Sequence, residues 1–357
     1  MLKKPFKNLK VIELASVLAG PAVGMFFAEL GAEVIKIENK KTGGDVTRNW
    51  KLKDENTGNT SAYFKSINWG KKSLFLDLTN PKDKAKVLEL IASADIVLAN
   101  FKKGSAEKLG LDYSNIKLMQ PEIIYANLSA YGEDNDSVGF DVLLQAETGY
   151  MFMNGEPNGN PIKMPVALID LLAAHQLEEA ILIALIDKLQ NKRGSYITAS
   201  LVKSAIASLA NQASNFLNEG FIPQRMGSQH PNICPYGDIF KTKDQQSIIL
   251  AIGTEKHFKL LCSTLNISAL ADSDLYNSNA ARVQNKAKLI PKLQAAISQF
   301  NQAELLKQLK EQKVPAGVIN DMKAVFEMPI AKEMILTNEN GDKCVQTIAF
   351  EIHPNES

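Results

Sequence analysis

Residues 10–38 read KVIELASVLAGPAVGMFFAELGAEVIKIE, and this stretch decides the fold class. Residues 10–14 predict a buried strand, residues 22–30 a helix and residues 33–37 a second strand. Pro21 suits the first turn of a helix, where a missing N–H costs nothing, and Gly31 follows the predicted helix end. Strand, helix and strand in this order predict a βαβ unit with two parallel strands.

The same alternation continues along the first 220 residues. A helix is predicted to begin at Pro81, a short one to cover 142–148, a long one to cover about 169–190, and another to end at Asn218. Strands alternating with helices are typical of a mostly parallel sheet that is covered on both faces. We therefore predict an α/β fold with a Rossmann-like parallel sheet, whose further strands lie at 73–77, 95–98, 122–128 and 196–200.

The composition of the sequence changes at Gly220, where prolines and glycines become frequent in a stretch that is typical of a linker. The residues beyond it predict a smaller α+β unit. Its elements are a hairpin (238–241 and 247–252), three helices (254–265, 282–298 and 302–312) and a short strand (314–319). A final strand at 344–351 could return to the first sheet. The predicted organisation is a large α/β domain from 1–219 joined by 321–357, a linker at 220–237, and a small α+β domain at 238–320.

Composition excludes several classes of protein. The 357 residues carry 40 Lys+Arg and 39 Asp+Glu, a formal charge of +1, and 45% of them are hydrophobic. That balance argues against disorder and against nucleic-acid binding through a broad basic surface. The three cysteines and four histidines show neither disulfide nor metal-ligand spacing, and the apolar segment 166–186 carries charged residues that a membrane span would exclude. We therefore expect a cytoplasmic protein with no metal, nucleic-acid or membrane partner.

Ligands of open α/β sheets bind outside the carboxyl ends of the strands, which points to the turns at 16–21, 38–39, 77–79 and 100–104. A dinucleotide site is one hypothesis for the first turn. Residues 19–24 (AGPAVG) lack the GxGxxG glycines that let a pyrophosphate approach the backbone. Pro21 also removes an N–H that would face the phosphate. The pattern disfavours a nicotinamide cofactor.

Asp170 is the most conspicuous ionisable residue, because the segment around it, residues 166–174, is otherwise apolar. A buried carboxylate is costly unless it is paired or functional. Two interpretations remain open from the residues alone: Asp170 is the N-cap of the long helix, or it is a functional group. Both can hold together, since a helix N-terminus stabilises a carboxylate.

Eight segments together resemble the family III CoA-transferases, the group that includes formyl-CoA transferase and carnitine CoA-transferase and belongs to the α-methylacyl-CoA racemase superfamily. Each segment is weakly specific by itself, but their order along nearly the whole chain is highly specific. They are VIELASVLAGP (11–21), GAEVIKIE (31–38), NWGKKSLFLDL (68–78), ADIVLANFKKG (94–104), GFDVLLQAETG (139–149), the Asp170 segment, RxGxxHPNIxPY (225–236) and VPAG (314–317).

The resemblance implies an enzyme, a transferase of sulfur-containing groups in acyl-CoA metabolism. Asp170 matches the catalytic aspartate of the family, which forms an aspartyl-CoA thioester during exchange between an acyl-CoA and a carboxylic acid. Coenzyme A is then a substrate and no cofactor is permanently bound. The resemblance also implies a ring-like chain in an interlaced homodimer. Positions matching CoA or substrate contacts are Leu18, Ala19, Asn39, Leu76, Asp77, Leu78, Thr79, Asn100, Phe101, Lys108, Phe140 and Asp141.

Two alternatives are weighed against this function. An α-methylacyl-CoA racemase uses a histidine before the Asp of a GHD segment, whereas here Phe140 occupies that position and cannot carry a proton. A non-catalytic CoA-binding protein is the other alternative. It is favoured by Asn39 in place of a common arginine, by the absence of a glycine-rich loop near 240–260, and by the short C-terminal tail. For Lys108, a solvated helix charge is the alternative to a phosphate contact.

Overall fold

The computed structural model describes residues 4–56, 58 and 60–353, which form two compact units. The larger unit contains the described residues of 4–151, 163–222 and 333–353, and the smaller unit contains 152–162 and 223–332. This partition gives the smaller unit three segments that the predicted organisation placed elsewhere. They are 152–162, from the large domain, 223–237, from the linker, and 321–332, from the joining segment.

Six parallel strands form the sheet of the larger unit, in the order β3-β2-β1-β4-β5-β6. The predicted α/β class with a parallel sheet is therefore confirmed. The order reverses between β1 and β4, and in open parallel sheets the ligand crevice lies at such a point. The strands are β1 (Lys10–Glu13), β2 (Glu33–Asn39), β3 (Lys72–Leu76), β4 (Ile96–Ala99), β5 (Ile124–Ser129) and β6 (Ser195–Ser200).

Helices cover both faces of this sheet because successive strand residues point to opposite sides. Val11 of β1 joins a core with the first and longest helices, whereas Ile12 joins a second core that contains Val87 and Ile116. The helices are α1 (Ala19–Glu29), α2 (Ala62–Ile67), α3 (Pro81–Ala92), α4 (Ser105–Leu109), α5 (Tyr113–Met119), α6 (Asp141–Glu147), α7 (Tyr150–Met153), α8 (Leu168–Asn191), α9 (Leu201–Ala207) and α10 (Ala210–Glu219). Lys40–Thr42 and Val46–Asn49 are short 3₁₀ helices.

Two details of the long helical region differ from the prediction. The helix predicted to end at Asn218 is two helices, α9 and α10, separated at Ser208 and Leu209. Helix α8 begins two residues before Asp170 and its N-cap is Ala167, which makes no side-chain capping bond. Asp170 is therefore in the first turn of α8, and the N-cap interpretation is wrong. No helix among the described residues is long and apolar enough to cross a membrane.

The smaller unit has its own sheet and core. Strands β7 (Tyr236–Lys241), β8 (Ser247–Ala251) and β9 (Ala316–Val318) form an antiparallel sheet in chain order. The single helix predicted over 282–298 is wrong, because Asn285 separates two helices and its amide donates to the carbonyl of Ala281. The helices are α11 (Glu255–Thr264), α12 (Ala269–Asp272), α13 (Asn279–Gln284), α14 (Lys286–Ile297), α15 (Gln302–Glu311), α16 (Met322–Glu327) and α17 (Pro329–Glu333).

The strand predicted at 344–351 does not join the first sheet. Strand β11 (Lys343–Val345) pairs with β10 (Ile335–Thr337) in a separate two-stranded antiparallel sheet. The chain then runs along the end of α1, where the Glu29 carboxylate accepts bonds from the N–H groups of Thr347 (3.0 Å) and Ile348 (3.3 Å). Packing of Ile348 against the core, not strand pairing, accounts for the apolar pattern of this segment.

Candidate active site

A cavity of about 330 Å³ opens at the carboxyl ends of β1, β4 and β5, where the strand order reverses. Its wall includes 16–19 after β1, 100–104 after β4, much of 127–140 after β5, and Asp170. The βαβ pattern accounts for the first wall, because α1 begins at Ala19 directly behind the turn, with Gly20 and Pro21 in its first turn. All of these residues belong to the larger unit.

Asp170 presents a buried carboxylate to this cavity. The residue is only 8% exposed, and no hydrogen bond or ion pair between described residues involves its carboxylate. Burial, and to a lesser extent the charge of Asp141, raises the pKa of Asp170 to about 7. An unpaired buried carboxylate with a strongly shifted pKa in a cleft is a typical functional group.

Asp141 and Gln145 fix the start of α8 and the chain just before it. Asp141 Oδ1 accepts the N–H of Ile169 at 2.8 Å, and its Oδ2 accepts the Gln145 side-chain amide at 2.6 Å. Gln145 Oε1 in turn accepts the N–H of Met164 at 2.8 Å. Both carboxylate oxygens of Asp141 are therefore engaged in holding the segment that carries Asp170. Gln145, which is fully buried on α6, is not among the residues that the sequence pattern indicated.

The turn between β1 and α1 is held by Asn100. Its Oδ1 accepts the N–H of Ser16 at 3.1 Å and its Nδ2 donates to the Ser16 carbonyl at 2.9 Å. Leu18 and Ala19 follow in the cavity wall at the start of α1. The first N–H groups of a helix have no intrahelical partner, so this end of the cavity favours anions.

The predicted site residues fall into two groups. Six of them line the cavity: Leu18, Ala19, Asn100, Phe101, Phe140 and Asp170. The other seven do not line it: Asn39, Leu76, Asp77, Leu78, Thr79, Lys108 and Asp141.

Several of the second group lie together at the ends of β2 and β3, where Asn39 is opposite Leu76. Lys41 connects them: its Nζ lies 2.9 Å from Asp77 Oδ2 and donates to Thr79 Oγ1 at 2.7 Å. Bonds from Thr79 and Lys41 lower the pKa of Asp77 to about 2. Lys41 was not among the residues that sequence analysis selected, and only its position after a strand could have indicated it.

Tyr63 is a further ionisable residue near Asp170 that the sequence pattern did not indicate. Burial, and after it the charges of Asp170, Asp141 and Asp45, raise the pKa of its phenol to about 12. The Trp50 ring packs edge-on against it with ring centroids 5.2 Å apart. Tyr63 therefore stays protonated at neutral pH. Among the described residues, no group of three His, Cys, Asp or Glu side chains is placed to hold a metal ion.

Comparisons with known proteins agree on one family. A family model described as CoA-transferase family III matches residues 6–356. The chain is 38% identical over 336 residues to a succinate–glutarate CoA-transferase of Agrobacterium fabrum, covering 92% of this chain and 83% of that protein. It is 34% identical to a human succinyl-CoA:glutarate CoA-transferase, with 91% and 74% covered. A crystal structure of a CAIB/BAIF family protein from Brucella suis superposes with a TM-score of 0.84 at 36% identity, covering 98% and 93%.

Proposed function

This chain belongs to the family III CoA-transferases, and on that premise we propose that it moves coenzyme A from an acyl-CoA to a carboxylic acid through a thioester on Asp170. The observation that carries the proposal is the Asp170 carboxylate, which is buried, unpaired by any described residue and part of the cavity wall. A carboxylate in a cavity wall that no ion pair occupies is available to form a covalent bond to a bound substrate.

The reaction divides into acyl transfers that each balance. An Asp170 carboxylate oxygen attacks the thioester carbonyl carbon, the C–S bond breaks and CoA leaves as a thiolate, so that Asp170 and the donor acyl group form a mixed anhydride. The thiolate attacks the Asp170 carbonyl carbon and displaces the donor carboxylate, which leaves an aspartyl-CoA thioester. An acceptor carboxylate attacks that thioester, which releases the thiolate and forms a second mixed anhydride; the thiolate then attacks the acceptor carbonyl carbon, which gives the new acyl-CoA and frees the Asp170 carboxylate. Covalent catalysis here replaces one difficult exchange by easier steps.

The surroundings of Asp170 fit a nucleophile of this kind. Burial removes water from the carboxylate, while its place in the first turn of α8 directs the positive end of the helix dipole toward it. Leu18 and Ala19 lie in the same wall, and the start of α1 can favour the negative charge that develops on a thioester oxygen. The CoA nucleotide would extend toward Lys41, Asp77 and Thr79, at the neighbouring strand ends.

The pH dependence of the rate follows from the raised pKa of Asp170. Because that pKa is about 7, the carboxyl is mostly protonated at about pH 6 and mostly ionised at about pH 8. We expect kcat/KM for acyl-CoA to rise through one ionisation near 7 and to level off above it. Steady-state kinetics with a stable acyl-CoA donor measures this. A profile that falls with pH over this range would contradict the assignment.

The substrates of the relatives indicate where to begin a test. Similar proteins are named for succinate and glutarate, so we propose dicarboxylic acids as the substrate class. The experiment is exchange of CoA between an acyl-CoA and a second acid, starting from succinyl-CoA with glutarate and then varying both. Transfer without incorporation of solvent deuterium at the α-carbon supports the proposal. Deuterium incorporation without transfer would instead support a racemase, despite Phe140 in the cavity wall.

We also propose the interlaced homodimer that the family resemblance implies. In its support, α8 and α10 carry exposed apolar side chains, among them Ile183, Leu189 (74% exposed) and Leu217 (78% exposed). In an interlaced dimer the second chain would cover these side chains, and contiguous exposed apolar surface is typical of such interfaces. Light scattering is expected to give twice the 39.2 kDa chain mass at micromolar concentration. A stable, active monomer would contradict this proposal.

A further inference from the structure

The turn between β1 and α1 contains an unusual backbone conformation. Val17 has a φ of +75°, in the left-handed region that β-branched residues rarely adopt. Such conformations cost free energy and persist only where the surrounding structure imposes them. Val17 also lines the cavity, immediately before Leu18 and Ala19.

Side chains from three other segments hold the polar backbone groups of this turn. Lys36 Nζ donates to the Ala15 carbonyl at 2.8 Å, and Asn100 binds both the N–H and the carbonyl of Ser16. The N–H of Val17 donates to Asp45 Oδ2 at 3.1 Å. The contact with Asp45 is the one made at the strained residue itself.

Asp45 is itself fixed on both of its oxygens. Its Oδ2 lies 3.0 Å from Lys36 Nζ, and both side chains are almost fully buried. Its Oδ1 accepts the N–H and the hydroxyl of Thr47 at 3.0 and 2.8 Å. Burial alone would raise the pKa of Asp45, but the charge of Lys36 and the Thr47 bonds outweigh it and leave that pKa below its usual value. The carboxylate is therefore ionised at the pH of the reaction.

We propose that Asp45, held by Lys36, is a positioning residue for acyl transfer: it keeps Val17 in the left-handed conformation and so sets the Leu18–Ala19 wall of the cavity around the substrate of Asp170. This inference rests on the proposed function. The start of α1 follows Val17 directly in the chain, so the conformation of the turn sets the position of this part of the cavity wall. If the turn relaxed to an ordinary conformation, the N–H groups at the start of α1 would shift relative to Asp170.

Asp45→Asn tests the proposal. Asparagine can still accept from Thr47 but places an NH₂ where the Val17 N–H and Lys36 need an acceptor. We expect kcat/KM for CoA transfer to fall by about 30-fold, within the range of measured coupling energies. In a Val17→Gly background the same change should cost less than about threefold, because glycine adopts a positive φ without help. This rescue is the readout that a purely structural role would not produce.

The matched control is Lys188→Met, which breaks another ion pair of the larger unit, between Lys188 Nζ and Asp95 Oδ1 at 3.0 Å. Its effect should be small, and the same in the unmodified and the Val17→Gly backgrounds. If Asp45→Asn does not fold, Thr47→Val removes one support of Asp45 and should show a smaller loss with the same rescue. Amide exchange of the peptide covering 14–20 reads the turn directly, and should become faster in the Asp45 or Thr47 variant but not in the Lys188 variant.

The outcomes separate the two proposals. Loss of activity that Val17→Gly does not rescue, with unchanged exchange over 14–20, would overturn the positioning role and leave Asp45 as a structural residue. If the unmodified protein transfers no CoA to any acid, the proposed function fails. In that case the effect of Asp45→Asn is measured on acyl-CoA affinity and on amide exchange of 14–20, in the unmodified and the Val17→Gly backgrounds. If Val17→Gly does not reduce either effect, the inference is wrong independently of the proposed function.

Discussion

Replacing Asp170 by asparagine is expected to lower the rate of CoA transfer by at least about a thousandfold, because a neutral amide cannot attack a thioester. Asparagine has nearly the same shape, so acyl-CoA affinity should change by only a few fold. Transfer is measured by chromatography of the CoA esters, and affinity by calorimetry. An interaction lost only in the bond-forming steps lowers kcat without raising KM.

The control for this prediction is Glu178→Gln in the same helix. Burial raises the pKa of Glu178 to about 7, as for Asp170, but Glu178 does not line the cavity and lies 3.1 Å from His175 Nδ1. This variant should keep most of the activity. The raised pKa of Asp170 means that its ionisation destabilises the folded protein as pH rises toward 7. The neutral side chain of Asp170→Asn avoids this cost, so we do not expect the variant to unfold. Equal losses in both variants would contradict a specific role for Asp170.

Replacing Glu13 by glutamine is expected to reduce the free energy of unfolding by about 3–5 kcal/mol, the usual cost of breaking a buried ion pair from one side. Glu13 is fully buried, and its two oxygens lie 2.8 Å from Lys36 Nζ and 2.8 Å from Lys71 Nζ. Without it, both buried ammonium groups lose their shared partner. Urea unfolding monitored by circular dichroism measures the change.

A second substitution identifies the cause. Burial already lowers the pKa of Lys71 to about 8, so Lys71→Met in the Glu13→Gln protein should recover about half of the loss by removing a buried charge. The loss of unfolding free energy in Glu13→Gln alone should also be smaller at about pH 9, because Lys71 can then lose its proton. A deficit below about 1 kcal/mol, or additive costs of the two substitutions, would contradict this account.

Local sequence pattern predicted most of the larger unit, because the period of apolar residues and the Gly and Pro positions act over a few residues. The β1–α1–β2 unit and helix α3 beginning at Pro81 follow this rule. The same reasoning failed for 344–351, since alternating apolar residues also occur in an extended segment that packs beside a helix. It failed over 282–298 because Asn285 ends α13 through its side chain, which periodicity does not record.

The candidate site also has features that the sequence predicts and features that it does not. The topology rule for parallel sheets and the apolar surroundings of Asp170 located the cavity wall and the buried carboxylate. The supporting contacts could not be predicted, because the bonds from the Val17 N–H to Asp45 and from the Ile169 N–H to Asp141 each join residues 28 positions apart. Such contacts depend on the tertiary fold, so residue spacing carries no sign of them. The side chains of Asn100 and Asp141 accept bonds from the protein backbone, and contact of either residue with substrate stays a prediction.

The most direct test of the central claim is the mass of the Asp170 peptide after the protein has been incubated with an acyl-CoA. Hydroxylamine, added during turnover, converts an aspartyl thioester or anhydride to a stable hydroxamate. We predict that this modification appears on Asp170, requires acyl-CoA and is absent from Asp170→Asn. Active CoA exchange with no modification of Asp170, or with the modification on another carboxylate, would contradict the account.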